Sequence, residues 1–324
     1  MSIGIEKTLV GYGIVSSLHL ANFMAYWSLN SSDYRECIIF VEKYWDKIIV
    51  DDKYLKYCKS QGIKVFVCLD DKKSILKGEK IIDLVFIKDI GYKATINSML
   101  DCNFNKVIVV DEGVSSYTSY SHMKRAVERE KGVKLNHYKY FFKKIISSFL
   151  CFFFRNSFEK KRMFISGLEI NPLYKKGLLK YFSNMNSEEE VLNLNNVVLY
   201  CSQPYVELGI CELNDYLSNL KKLKNNIEKK GLKLLIKPHP VEKEIDYKAM
   251  GFNLLDYNGM IEEYVYINRV GSVISNNSTS SLLLPAIYGV ESFIFNWDDI
   301  DSLGGDAEKL FKRYCKKYTS ISLE

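Results

Sequence analysis

Short apolar runs recur through the first third of the chain, at Lys7–Val10, Cys37–Val41, Lys47–Val50, Lys64–Cys68, Ile82–Ile87 and Lys106–Val110. Several are continuous rather than alternating, the pattern of strands covered on both faces. Between them, Ser17–Trp27 and Tyr92–Leu100 carry apolar residues at helical spacing. Strand and helix in alternation predict a parallel α/β sheet.

The pattern breaks around residues 166–196. The stretch "NPLYKKGLLKYFSNMNSEEEVLNLNN" is polar and charged and reads as a connection. It then resumes with strands at Val197–Cys201, Lys233–Lys237, Ser272–Ile274 and Ser292–Asn296. A long charged helix over Glu212–Lys230, a helical Ile261–Arg269 and a helix from Thr279 lie between them. The expected organisation is an N-terminal α/β domain over 1–165, a linker over 166–196 and a C-terminal α/β domain over 197–324. The last helix is expected to pack back on the first half. No internal repeat is visible.

Composition sharpens this little. With 47% hydrophobic and 26% charged residues among 324, the chain is a folded globular protein and not a disordered one. A formal charge of +6 suits anionic partners such as nucleotides, phospholipid or acidic sugars. It lacks the concentration of charge of a nucleic-acid binder. The eight cysteines, at 37, 58, 68, 102, 151, 201, 211 and 315, form no Cys-x-x-Cys pair, and several sit inside apolar runs. That is the usage of a reducing, cytoplasmic compartment.

The opening "MSIGIEKTLVGYG" shows no signal-peptide pattern, and no apolar run reaches the ~18 residues of a spanning helix. "IISSFLCFFF", Ile145–Phe154, is flanked by Lys143, Lys144, Arg155, Lys160, Lys161 and Arg162. It reads either as a buried segment with charged ends or as a peripheral patch on an anionic membrane, centred on 140–162.

Ligands of parallel α/β sheets bind beyond the carboxyl ends of the strands, so the residues just after each strand are the informative ones. Three places stand out. Asp111-Glu112-Gly113 sets two carboxylates and a flexible glycine at a strand end, which suits a general base and equally an ordinary turn. Lys237-Pro-His-Pro240 fixes the backbone on both sides of His239 and adds the Lys237 charge, an arrangement fit to meet a phosphate. Ser278, Thr279, Ser280 and Ser281 open an apolar helical run with more hydroxyls than one cap needs, and a helix N-terminus is a ready anion site.

In that order, the three motifs resemble the D/E-D/E-G, HP and S-S/T signatures of the bacterial sialyltransferases. The resemblance implies two Rossmann-like domains facing a cleft, the GT-B glycosyltransferase architecture. It implies transfer of sialic acid from CMP-Neu5Ac, with inversion and without a metal or other cofactor, to a hydroxyl of a bacterial surface glycan. Capsule, O-antigen and lipooligosaccharide all fit that acceptor, with or without a lipid link.

By motif position it makes Asp111 the base, with Glu112 and Gly113 supporting. His239 then hydrogen-bonds or protonates the departing CMP phosphate beside Lys237 and Pro240, and hydroxyls among Ser278–Ser281 grip that phosphate. Glu262 or Glu263 falls where related enzymes hold the donor ribose. Ser202 and Gln203 border the nucleotide, and Ser17 and His19, in "SSLHLAN", face the acceptor.

The four histidines, 19, 122, 137 and 239, are dispersed, and no metal-ligand cluster is visible. Two rival readings share parts of the pattern. CDP-glycerol or CDP-ribitol phosphotransferases of cell-wall polymers also combine a Lys-x-His-Pro stretch with a later serine cluster. A non-catalytic membrane-surface protein would use only the Phe-rich basic patch.

Overall fold

The computed structural model describes residues 7–44, 47–79, 81–87, 102, 104–136, 138, 141–142, 145–146, 149, 158–186 and 193–319. In chain order the elements are β1 (Lys7–Ile14), α1 (Ser17–Asn30), β2 (Glu36–Val41), α2 (Asp52–Ser60), β3 (Lys64–Val67), α3 (Lys72–Leu76), β4 (Ile81–Ile87) and β5 (Phe104–Val110). Then come α4 (Tyr120–Lys131), β6 (Phe158–Lys161), α5 (Pro172–Met185), β7 (Asn193–Cys201), α6 (Leu213–Glu228) and β8 (Lys233–Lys237). The chain closes with α7 (Ile261–Ile267), β9 (Arg269–Ser275), α8 (Thr279–Tyr288), β10 (Glu291–Ile294), α9 (Asp298–Asp301), α10 (Gly305–Tyr314) and β11 (Lys316–Lys317).

Two compact units result. The first comprises Met1–Ser116, Leu135–Ser166 and Ile170–Ser187; the second comprises Tyr117–Lys134, Gly167–Glu169 and Glu188–Glu324.

The first unit holds a six-stranded sheet of order β3-β2-β1-β4-β5-β6, with every pairing parallel. This is the doubly wound order, whose switch point lies between β1 and β4. Val10, Ile38, Phe40, Leu84, Phe86 and Val107 are buried together on one face. Their β-branched and aromatic side chains explain why these runs extend into strands rather than helices.

The expected strand at Lys47–Val50 is reduced to isolated bridges, Tyr44 with Lys47 and Ser16 with Ile49. The helix read at Tyr92–Leu100 lies outside the described residues.

The stretch read as a connection contains α5 and the start of β7. Asn171 caps α5, Pro172 opens it, and Tyr174, Gly177, Leu178, Tyr181 and Phe182 form its buried stripe. That stripe packs on α1 so closely that a Cβ at Gly177 would stand 2.0 Å from the Ala25 carbonyl oxygen. Only glycine permits such an approach.

The second unit holds a five-stranded parallel sheet of order β11-β10-β9-β7-β8. Its order reverses between β7 and β9, the second switch point. One face is buried under α6 through Leu217, Leu220, Leu223 and Ile227. The other is covered by Ile261, Tyr264, Val265 and Leu284.

Helix α4 belongs to this unit although it precedes most of it in sequence. The Ser119 hydroxyl donates to the Leu303 carbonyl at 2.8 Å and Arg125 Nη2 to the Ser302 carbonyl at 3.2 Å. The last helix, α10, lies within the second unit, burying Ala307, Leu310 and Phe311.

No helix among the described residues is long and apolar enough to cross a membrane. Of the aromatic run, Ile145 and Phe149 are exposed, as are Tyr138, Phe141 and Phe142. Phe152–Phe154 lie outside the described residues.

Candidate active site

In the first unit, β5 delivers Asp111 at its carboxyl end, only 5% exposed. Asp111 Oδ2 accepts the Met163 amide at 2.9 Å, and Oδ1 accepts Arg162 Nη1 at 3.3 Å. Its carbonyl accepts Asn22 Nδ2 at 2.9 Å, and Asn22 Oδ1 accepts the Tyr174 hydroxyl at 2.8 Å. Asp111 therefore ties the end of β5 to the exit of β6 and to α1, which is bonded in turn to α5.

Glu112 turns away into the 3-10 turn Val114–Tyr117. Its amide donates to Ser116 Oγ at 3.3 Å, and its carboxylate accepts the Ser115 hydroxyl. Gly113 allows the turn, its carbonyl accepting the Ser116 amide at 3.2 Å. Of the two acids, Glu112 is the less buried. Arg162 also donates to the Ser116 carbonyl at 3.1 Å, bracing the turn. The sequence singled Arg162 out only as part of a basic flank.

Ser17 and His19 stand after β1, at the switch point of this sheet. Ser16 caps α1 by accepting the His19 amide at 3.2 Å. Ser17 Oγ donates to Asp51 Oδ2 at 3.2 Å and accepts the Asp51 amide at 3.1 Å. His19 Nδ1 sits 3.2 Å from the Gly13 carbonyl. The Asp51 partner had no signal in the sequence.

In the second unit the expected residues gather at the β7/β9 switch point and the neighbouring end of β8. The Ser202 amide donates to the Lys237 carbonyl at 3.1 Å, extending the β7–β8 ladder by one bond. Gln203 Nε2 donates to the Ser202 carbonyl at 2.8 Å, and Lys237 Nζ to the Tyr257 carbonyl at 2.8 Å. Pro240 is exposed.

Within the turn that follows β8, the Val241 amide donates to His239 Nδ1 at 3.4 Å. Nδ1 is then an acceptor, and the ring proton sits on Nε2. Burial lowers the His239 pKa to about 4, against a smaller opposing pull from Glu207. At neutral pH the ring is an uncharged hydrogen-bond donor.

The hydroxyl run divides by direction. Ser278 caps α8 by accepting the Ser280 amide at 3.3 Å. Ser281 turns inward, fully buried, with its hydroxyl against that of Ser275. Ser280 Oγ donates to Glu262 Oε1 at 2.7 Å, and Thr279 is partly exposed beside it.

Glu262 is 3% exposed and Glu263 fully buried at the start of α7. Burial raises the Glu262 pKa; the Ser280 bond and Lys237 pull it back. Tyr205, missed in the sequence, joins three strand-end loops, its hydroxyl reaching Asn277 Oδ1 at 3.0 Å and Asp299 Oδ2 at 2.9 Å. Among the described residues, no group of three or more His, Cys, Asp or Glu side chains could hold a metal ion.

Residues 104–296 match the protein family described as Alpha-2,8-polysialyltransferase (POLYST), a span running from β5 to just beyond β10 and containing all three motifs. No curated protein matches the chain significantly by sequence.

Among solved structures, one described as a UDP-N-acetylglucosamine 2-epimerase from Listeria monocytogenes superposes with a TM-score of 0.50 at 10% identity. It covers 97% of this chain and 84% of its own. The GT-B domain of a sialyltransferase from Photobacterium damselae gives 0.48 at 10% identity, covering 96% and 98%. A sialyltransferase from Photobacterium damsela gives 0.47 at 11%, covering 97% and 81%. At 10% identity the likeness to the Listeria structure is one of fold, and it accords with two parallel α/β units.

Proposed function

Since the chain belongs to the alpha-2,8-polysialyltransferase family, we propose that it transfers sialic acid from CMP-Neu5Ac to a hydroxyl of a sialylated bacterial surface glycan. The linkage proposed is α2,8, from the family, and the product is capsular or lipooligosaccharide glycan. The observation that carries the reading is the convergence, at one switch point, of Ser202, the His239 turn and the Ser280–Glu262 pair on the N-terminus of α8.

The chemistry follows from these groups. An acceptor oxygen attacks the anomeric carbon of the donor as the bond to the CMP phosphate breaks, which inverts that carbon. The hydroxyl proton passes to a carboxylate, and the phosphate leaves with the electron pair. In the second unit the neutral His239 donates Nε2–H to the leaving phosphate, with the α8 N-terminus and the Thr279 hydroxyl adding donors. Glu262 faces the ribose side, where its bond to Ser280 orients it.

In the first unit we assign the base to Glu112 and a positioning role to Asp111, because both Asp111 oxygens already accept bonds fixed by the fold. This reverses the order that motif position implied. No metal is needed in this scheme, since a CMP ester leaves as a monophosphate and presents no diphosphate to neutralise.

The test is release of CMP from CMP-Neu5Ac with a sialic-acid-terminated acceptor, in buffer containing a chelator. A thermal-shift series of CMP, CDP, UDP and UMP accompanies it; a ligand at 100 times its Kd stabilises by about 2.7 kcal/mol. Stabilisation by CDP alone, with transfer from CDP-glycerol, would establish the phosphotransferase reading instead.

We also place the protein on the cytoplasmic membrane face, as a peripheral contact. Tyr138, Phe142, Ile145 and Phe149 are exposed at helical spacing in a lysine-rich stretch. Co-sedimentation with vesicles containing anionic lipid, lost on Phe142→Ser with Phe149→Ser, checks it.

A further inference from the structure

Glu242, three residues beyond His239, was not among the residues the sequence singled out. Its Oε2 accepts the Ser202 hydroxyl at 2.5 Å and the His239 amide at 2.9 Å. The Ser202 hydroxyl oxygen itself accepts the same His239 amide at 2.9 Å. The backbone of residue 242 closes the other side of the turn, its amide donating to the His239 carbonyl at 3.0 Å. His239 is thus held at both its N–H and its C=O by one residue, while the Val241 amide fixes the ring through Nδ1.

Glu242 is itself held. Its Oε1 accepts the Tyr247 hydroxyl at 3.3 Å; Tyr247 meets Tyr216 at 3.2 Å, and Tyr216 meets Tyr200 at 3.3 Å. Tyr200 is buried in β7. The line of hydroxyls runs from the sheet interior to the carboxylate. Such a network fixes geometry when every member has a partner. Pro238 and Pro240 limit the backbone dihedrals of the turn but leave its hydrogen bonds unspecified. The carboxylate supplies them.

We propose that Glu242 is a positioning residue that clamps the His239 turn, together with Ser202, so that the imidazole Nε2–H is aimed at the donor phosphate. The inference rests on the proposed role of His239. Its experiment has one arm that needs no donor. Three variants separate shape from charge. Glu242→Gln keeps the length and an acceptor oxygen, Glu242→Asp keeps the charge but withdraws it by one methylene, and Glu242→Ala removes both.

In the full chain, the His239 ring signals are followed by NMR as pH is changed, identified by their loss in His239→Asn. The Gln variant should titrate as the parent does, while Asp and Ala should move back toward the ordinary 6.5. In the kinetic arm, kcat should fall up to roughly a hundredfold for Asp and Ala. Gln should stay within several-fold, and the acceptor KM should hardly change.

A His239 titration unmoved in Asp and Ala would overturn the clamp whatever the enzyme transfers. So would an Asp variant as active as the parent beside an inactive Gln. A parent that titrates as expected but transfers no sialic acid would overturn the functional reading and leave the clamp standing. If Ala does not fold, the contrast between Asp and Gln decides.

Discussion

Ser280 donates its hydroxyl proton to Glu262 across 2.7 Å, joining the first turn of α8 to the first turn of α7. Both residues were picked out in the sequence for different reasons, one as a phosphate hydroxyl and one as a ribose acid. Their bond makes them a single device. A carboxyl this deeply buried stays in place only because a donor meets it. The serine therefore both belongs to the N-terminal turn of α8 and holds its acidic neighbour.

Ser280→Ala should cost about 1–3 kcal/mol of stability, because Glu262 Oε1 loses its donor inside the fold. Urea denaturation checks this. The sign with pH follows from the raised Glu262 pKa. The folded state holds its proton above the unfolded value of 4.5, so this contribution is full below 4.5 and is lost as pH rises through the folded value. Removing the Ser280 donor raises that pKa further, so the deficit of the variant should be smaller at pH 4 than at pH 8. An equal deficit at both would show that the bond is not felt.

For the two acids, Glu112→Gln should lower kcat roughly 10²–10⁴-fold with the fold intact. Asp111→Asn should instead lower stability by about 1–3 kcal/mol, since an amide NH₂ would face the Met163 amide or Arg162. Steady-state kinetics beside denaturation curves separate the two. A stable Asp111→Asn protein without turnover, next to an active Glu112→Gln, would return the base to Asp111.

His239 carries a stability signature of its own. Its pKa is lowered from 6.5 to about 4 by burial. Between those values the unfolded chain binds the extra proton, so stability should rise with pH from about 4 to 6.5 and stay level above. The full span is about 3 kcal/mol. His239→Gln should flatten that slope and abolish most turnover. The parent should also show no activity limb near pH 6.5 due to this ring. Identical slopes in parent and variant would mean that the ring is charged in the folded protein.

Gly177→Ala tests the packing of α5 on α1. A methyl there would collide with the Ala25 carbonyl oxygen, and the helices must separate to admit it. The expected cost is about 1–3 kcal/mol or more, read as a lowered Tm. An unchanged Tm would show that this contact yields freely.

Most strands were legible because their buried parts are covered on both faces and run apolar without a break, as in Cys37–Val41 of β2 or Val107–Val110 of β5. β6 was not. "FEKK" is an edge strand, partly open to solvent, and nothing in its composition distinguishes it from a charged loop. α5 hid behind its lysines, although Tyr174, Leu178, Tyr181 and Phe182 kept helical spacing and Asn171-Pro172 announced the start. A sharper count of period would have found it.

Around the candidate site, the residues after strands could be picked out because open α/β sheets present their strand ends to ligands. Arg162, Asp51 and Glu242 could not. Each acts by meeting a residue on a loop it does not neighbour, or inside a turn whose hydrogen bonds only the fold defines. Glu242 alone left a trace, sitting three residues after a histidine between prolines.

The path by which α4 joins the second unit bears on recombination. A gene splice placed after residue 187 would transplant the sheet of β7–β11 but leave behind the segment whose Ser119 and Arg125 close over Leu303 and Ser302. A fragment of residues 188–324 should expose that surface and fold poorly, even with its whole strand set present. Exchange of the second unit between relatives therefore requires three coordinated crossovers, one on either side of α4 and one before β7. Inheritance in this lineage should accordingly move the halves as a linked pair, and chimaeras with a single junction should be rare among functional descendants.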